Sequence, residues 1–332
     1  MVSHLDCRWF ADCFNVRWEL AGSKKLCLQI HNHLYRIKGG PENFKREDLP
    51  NYPEFSGKEG SWFGYGIVSV DGKVYSAASE TPGPSWSGPF TGVKLLKSTD
   101  NGHSWSRVDR EGNELALTAM GSMRNVVNEQ EMFSLKEHGI PHQTQEAYPF
   151  SFFDFVQNGK DNSTAKDEYV YIYSPEGAKA HQLTLARVPH DKIGIRSEWQ
   201  YFTKYDQNKE PQWSNKIIDR GYVHTFPEKS SKDHYFGWYS WLPSVVWNDG
   251  LGLYIMVNGG TYGPWTQFHY SEYWTVDDPN NRTYQPKLSP KWISEDGKKM
   301  ILIWSDAMKN DQGNSHSINY IWNQMEIEIE VK

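Results

Sequence analysis

The sequence predicts an all-β protein, and within that class a five-bladed β-propeller with four-stranded antiparallel blades. Three observations carry this: many aromatic and turn residues, short apolar runs of period two, and an Asp-Gly type of turn recurring between such runs. The 332-residue chain holds 15 Trp, 19 Tyr and 15 Phe beside 27 Gly and 17 Pro. Aromatic residues suit pleated, half-buried surfaces and Gly and Pro punctuate turns, whereas a helical bundle would be built on Ala, Leu, Glu and Lys. Only residues 123–138 leave room for a short helix.

The elements follow in chain order. Gly66 to Val70 and Val74 to Ala78 flank Asp71-Gly72, and Ser151 to Val156 precedes Glu168 to Tyr173. Leu242 to Trp247 and Leu253 to Val257 flank Asn248-Asp249-Gly250, and Pro290 to Ser294 and Met300 to Trp304 flank Glu295-Asp296-Gly297. Asp and Gly tolerate the positive φ that a tight hairpin demands. The repeating unit is therefore strand, turn, strand, then one or two outer strands. Blades fall near residues 60–108, 147–202, 238–275 and 285–330, and the first 40 residues supply a degenerate one. A β-sandwich is the rival, but sandwiches do not usually repeat one hairpin signature along the chain. Residues 98–105, Ser-Thr-Asp-Asn-Gly-His-Ser-Trp, fit S-x-D-x-G-x-x-W, the Asp-box of sialidase-like propellers. In such a turn Asp100 should accept backbone hydrogen bonds, Gly102 should take positive φ, and Trp105 should bury its ring. The chain reads as a single domain over residues 1–332.

Charge and targeting narrow the function. Lys and Arg number 35 against 41 Asp and Glu, a formal charge of −6 without a basic stripe, which argues against nucleic acid as a partner. No run of about 20 apolar residues exists to cross a membrane as a helix. Met1 to Asp6 lacks the features of a signal peptide. Cys7, Cys13 and Cys27 are odd in number, so at least one thiol is free, and with His31 or His33 they match no zinc spacing. The sequons at Asn162 and Asn281 weigh slightly towards secretion. The expectation is a secreted or periplasmic monomer with a polysaccharide or oligosaccharide partner. It has no cofactor, save room for a structural cation such as Ca2+.

Several longer stretches resemble one bacterial propeller family. They are Leu185 to Ile193 followed by Arg196 and Trp199 to Phe202, Val68 to Tyr75, Asp167 to Ser174, Gly263 to Thr266, and Lys291 to Lys298. That family was catalogued as a domain of unknown function, and some members are endo-D-arabinanases. The resemblance spans about residues 60–330 and implies a five-bladed propeller similar to furanosidases and sialidase-type hydrolases. Where the family carries a Gly-Asp-Gly in its first blade, this chain has Trp18-Glu19-Leu20-Ala21-Gly22. Ala21 stands in place of the Asp; either Glu19, two residues earlier, takes its role by a shift of register or the chain works differently.

In a propeller the Asp-box marks one face, and the longer loops 80–91, 110–146, 203–237 and 306–317 fall on the other. Those loops and the strands entering them carry acids, among them Glu80, Glu131, Glu146 and Asp306, and half of the 12 His. Hydrolysis needs one carboxyl to protonate the leaving oxygen and another to activate water or attack. Glu80, Glu146 and Asp306, at strand ends, are the candidates for a glycoside hydrolase. Asp154, amid Phe152, Phe153 and Phe155, is assigned a structural role. Polysaccharide lyase chemistry is the alternative, with His142, His224 or Tyr239 as base and Arg220 or Asn258 holding a uronate carboxylate. Trp62, Tyr65, Tyr148 and Trp241 would stack on sugar rings, with His181 and His316 beside them. A third reading is a carbohydrate-binding propeller without activity.

Overall fold

The computed structural model describes residues 2–5, 33–53, 60–82, 92–121, 128–134, 150–176, 179–225, 243–257, 281–308 and 322–330. In a few strand segments, including 60–64, 80–82, 179–181 and 305–308, the backbone alone is described. The chain is all-β, with antiparallel sheets that do not close into a barrel. Helical structure among the described residues is confined to three-residue 3-10 turns.

Five sheets form from strands consecutive in the chain. The first holds β1 (Val2–Leu5), β2 (His33–Lys38) and β3 (Lys45–Asp48). The second runs from β4 (Gly60–Val70) and β5 (Lys73–Pro82) through β6 (Val93–Ser98) and β7 (Ser106–Val108) to β8 (Glu114–Leu115). The third runs from β9 (Asp154–Phe155) through β10 (Tyr169–Glu176), β11 (Lys179–Pro189) and β12 (Gln200–Tyr205) to β13 (Pro211–Ser214). A short β14 (His224–Thr225) also pairs with β11. β15 (Ser244–Asn248) and β16 (Leu253–Val257) form the fourth, and β17 (Asn281–Ile293), β18 (Lys299–Met308) and β19 (Trp322–Glu328) the fifth.

The turns obey their local chemistry. Asp71 and Gly72 both take positive φ, 52° and 70°, as a two-residue hairpin between β4 and β5 requires. At residues 98–105 the Asp100 carboxylate accepts the backbone N–H of Ser104 at 2.8 Å and the hydroxyls of Ser98 and Ser104. Gly102 sits at φ +90°, and the Trp105 indole donates to its carbonyl at 3.1 Å. Trp105 then packs edge-on against Tyr52, in the segment after β3 of the first sheet, at 5.2 Å. Hydrogen bonds from three hydroxyl and amide donors hold the Asp100 carboxyl far below its ordinary value. Of residues 123–138, those described form a turn and a bridge from Phe133 to Val93 rather than a helix.

Packing links the sheets in a cyclic order. Leu34 and Leu49 of the first sheet region cluster with Val74 and Leu96 of the second. Val68, Tyr75 and Leu95 of the second cluster with Phe155, Ile172 and Trp199 of the third region. Leu183 and Phe202 of the third meet Met256 of the fourth, and Val246 and Ile255 of the fourth meet Leu288 and Met300 of the fifth. Tyr35 and Ile37 of the first sheet then pack on Trp292 and Ile301 of the fifth. The buried clusters lie between neighbouring sheets, while outer strands such as β3 and β13 stay largely exposed. Close approach needs glycine: a Cβ on Gly66 of β4 would lie 2.6 Å from the Phe153 carbonyl oxygen, beside β9. Polar clamps reinforce the seams. The Gln157 amide exchanges two hydrogen bonds with the Ser69 backbone, and His190 Nδ1 lies 2.6 Å from the Asp71 carboxylate.

Candidate active site at the inner strands

The leading strands of four sheets converge on one polar cluster. β9 contributes Asp154, β17 contributes Lys287, β4 contributes Tyr65, and Pro243 precedes β15. The Lys287 ammonium contacts the Asp154 carboxylate and lies 3.8 Å over the Tyr65 ring. Tyr65 stacks on Phe152 at 4.4 Å and donates its hydroxyl to the Pro243 carbonyl at 3.2 Å. Asp154 Oδ1 also accepts the N–H of Phe155 at 3.0 Å. Burial raises the Asp154 carboxyl above its ordinary value and lowers the Lys287 ammonium below its own, and in both groups burial outweighs their mutual attraction. The Asp154 side chain is 12% exposed and that of Lys287 31%, so the pair is partly open on the lysine side.

Glu80 and Asp306 lie on strands that flank this cluster. Glu80 of β5 is the register partner of Trp62, three residues before Tyr65 along β4. Asp306 of β18 is the register partner of Thr283, four residues before Lys287 along β17. At about 3.3 Å per residue, each backbone position lies roughly 10–13 Å along its strand from the cluster. Both are displaced the same way, away from the hairpin turns at Asp71-Gly72 and 294–298.

Other expected residues lie elsewhere. His224 of β14 pairs with Leu183 of β11, two strands out from β9, so it is not brought to the inner cluster. Burial lowers its pKa, which favours the neutral ring. Arg220 donates to the Ile217 carbonyl at 2.9 Å, in the segment between β13 and β14. His181 lies in β11, where its backbone alone is described. Tyr65 is 5% exposed, its ring engaged by Phe152 and Lys287, so it packs between strands rather than presenting a sugar platform. Glu131, expected among loop acids, is fully buried and receives the Arg107 guanidinium, with Lys94 Nζ at 4.0 Å. That acid is a core ion pair. Glu146, His142, Tyr239, Tyr148, Trp241, Asn258 and His316 lie outside the described residues, as do Glu19, Ala21 and the three cysteines.

Sequence reading missed Lys287, although its alternation in β17 with buried Leu288 and Ser289 marks a strand residue of mixed environment. No grouping of His, Cys, Asp and Glu suited to a metal occurs among the described residues. No helix among them is long and apolar enough to cross a membrane.

No family model matches the chain, and no curated protein matches it. Among solved structures, a "putative hydrolase" from Bacteroides ovatus is similar at 12% identity with a TM-score of 0.41, over 80% of this chain and 60% of that one. The chain therefore spans about 60% of that neighbour's length, and a likeness at this level carries no argument about activity.

Proposed function

We propose that this chain is a single-domain, five-bladed β-propeller that hydrolyses a polysaccharide at the mouth of its central channel. The observation that carries the reading is the cyclic packing of five sheets, in which leading strands meet at Asp154, Lys287 and Tyr65. In this reading Glu80 and Asp306, further out along β5 and β18, are the carboxyl groups that work on the glycosidic bond. One protonates the leaving oxygen and the other activates water or attacks the anomeric carbon. The Asp154–Lys287 pair lies roughly 10–13 Å along the strands from both positions and supplies a charged group near them. The sequence resemblance to propellers that include endo-D-arabinanases favours a glycan substrate, and secretion or periplasmic residence follows from where such polymers occur.

The test is substitution at the two acids. Glu80→Gln and Asp306→Asn should each lower kcat by about 100-fold or more, the scale of lost acid–base catalysis, with unfolding midpoints unchanged. Full activity in both variants would refute the assignment.

A further inference from the structure

Asn-Gly pairs are chemically labile, because a following glycine leaves its backbone nitrogen unshielded against attack on the asparagine side chain. Two such pairs lie among the described residues, Asn101-Gly102 and Asn158-Gly159, and the fold treats them differently. Asn158 is buried, and its amide donates to the Asn162 side-chain oxygen at 3.2 Å. Asn101 is exposed, at the tip of the turn that follows β6. Conversion at such a pair begins when the glycine nitrogen, its proton taken by solvent base, attacks the asparagine Cγ. Ammonia leaves and a cyclic imide forms, which water then opens at either carbonyl. Opening at the α-carbonyl routes the main chain through Cγ, so isoaspartate adds a backbone carbon and a new carboxylate.

The turn of residues 98–105 obstructs the first of these steps. The Gly102 N–H donates to Ser98 Oγ at 2.8 Å, so the attacking nitrogen is already engaged. The Asn101 carbonyl accepts the Arg36 guanidinium of β2, and the Gly102 carbonyl accepts the Trp105 indole at 3.1 Å. Peptide groups held on both sides of Gly102 cannot swing its nitrogen over Cγ. Asn101 and Gly102 both take positive φ, 59° and 90°, and a Cβ on Gly102 would lie 2.9 Å from Leu49. The neighbouring Asp100 carboxylate, held ionised by Ser104 and Ser98, opposes a second anion at the Gly102 nitrogen. This same turn joins the second sheet to the first. Besides Arg36, Asn51 donates to the His103 carbonyl at 2.8 Å, and Trp105 meets the Tyr52 ring.

We propose that Asn101 is a self-modification site, converted through a cyclic imide to isoaspartate when the turn opens and guarded by the turn while it is closed. A main chain lengthened at residue 101 cannot return the Gly102 N–H to Ser98 and the carbonyl to Arg36 together. Each conversion therefore loosens the seam between the first two sheets irreversibly, whatever the chain acts on.

The full chain and Ser98→Ala, incubated at alkaline pH in native buffer and in concentrated urea, test this. Peptide mass spectrometry reads amide loss at Asn101 and Asn158, and methylation by an isoaspartyl methyltransferase reads the rearranged product. A reaction that needs local opening follows the opened population, so Asn101 should convert at least about tenfold more slowly in native buffer than in urea. Ser98→Ala removes the acceptor for Gly102 and should raise the native rate at Asn101 about several-fold, leaving the rate in urea unchanged. Asn158 reports wider unfolding and should stay slow in native buffer in both proteins. The purified isoaspartyl chain should melt below the parent. Native conversion as fast as in urea, no acceleration in Ser98→Ala, acceleration of both asparagines together, or an isoaspartyl chain that melts with the parent would overturn the proposal.

Discussion

Trp292 of β17 donates its indole N–H to the carbonyl of Gly39, 3.1 Å away and 253 residues earlier in the chain. The same side chain packs on Phe44 at 5.7 Å, and Lys291 beside it donates to the Ile37 carbonyl at 3.0 Å. These contacts join the fifth sheet to the first. Trp292→Phe keeps the ring but loses the bond and should cost about 1 kcal/mol, whereas Trp292→Ala should cost about 3–5 kcal/mol. Urea unfolding followed by Trp fluorescence and by circular dichroism would measure both. If the ring of sheets is one cooperative unit, the two probes shift together. A loss confined to one probe would show that the seam is not integral.

The Asp154–Lys287 pair should behave as a coupled unit. Lys287→Met leaves a buried carboxyl without its cation and should cost roughly 3 kcal/mol. Asp154→Asn keeps the acceptor for the Phe155 N–H but strands the ammonium, with a similar cost. The double variant should recover much of the loss, and a double-mutant cycle would give the coupling. Additive losses would show that the two groups do not interact as the contact implies.

The acid limb of the stability curve should report the turn at Asp100. Its carboxyl is held below the ordinary value in the folded chain by the Ser104 hydroxyl and backbone N–H and by Ser98. The unfolded chain therefore takes up the proton first as pH falls. The contribution is complete above a pH of about 4 and is lost as pH drops towards the folded value. Asp100→Asn should destabilise by about 1 kcal/mol at pH 7, the group being partly solvated, and should flatten the decline below pH 4. An unchanged acid limb would contradict this.

Local chemistry was legible in the sequence, and convergence was not. Asp71-Gly72, Gly102 and Gly297 announce positive φ, and all three turns stand where period-two runs predict strands. The hairpins β4–β5, β15–β16 and β17–β18 were legible, since each is written in consecutive residues, whereas β2–β3 of the first sheet was not read. The extra outer strands β8 and β13 escaped notice, because strands of two to four residues leave too little pattern. Lys287 and Asp154 meet across 133 residues, and Arg110 meets Arg196 across a sheet boundary. Such pairings depend on how sheets face one another, which no local period encodes. The same gap sent Tyr65 to the sugar face by its residue type, when the closeness of β4 and β9 commits its ring to Phe152.

The central claim is hydrolysis of a glycan at the channel mouth. The most direct measurement incubates the full chain with a panel of neutral and acidic polysaccharides and reads new reducing ends together with the ultraviolet absorbance of unsaturated uronates. Reducing ends without that absorbance, lost in Glu80→Gln and Asp306→Asn, are the predicted result. Unsaturated products would assign the chain to the lyases, and an absence of cleavage across the panel would leave a binding protein; either result contradicts the claim.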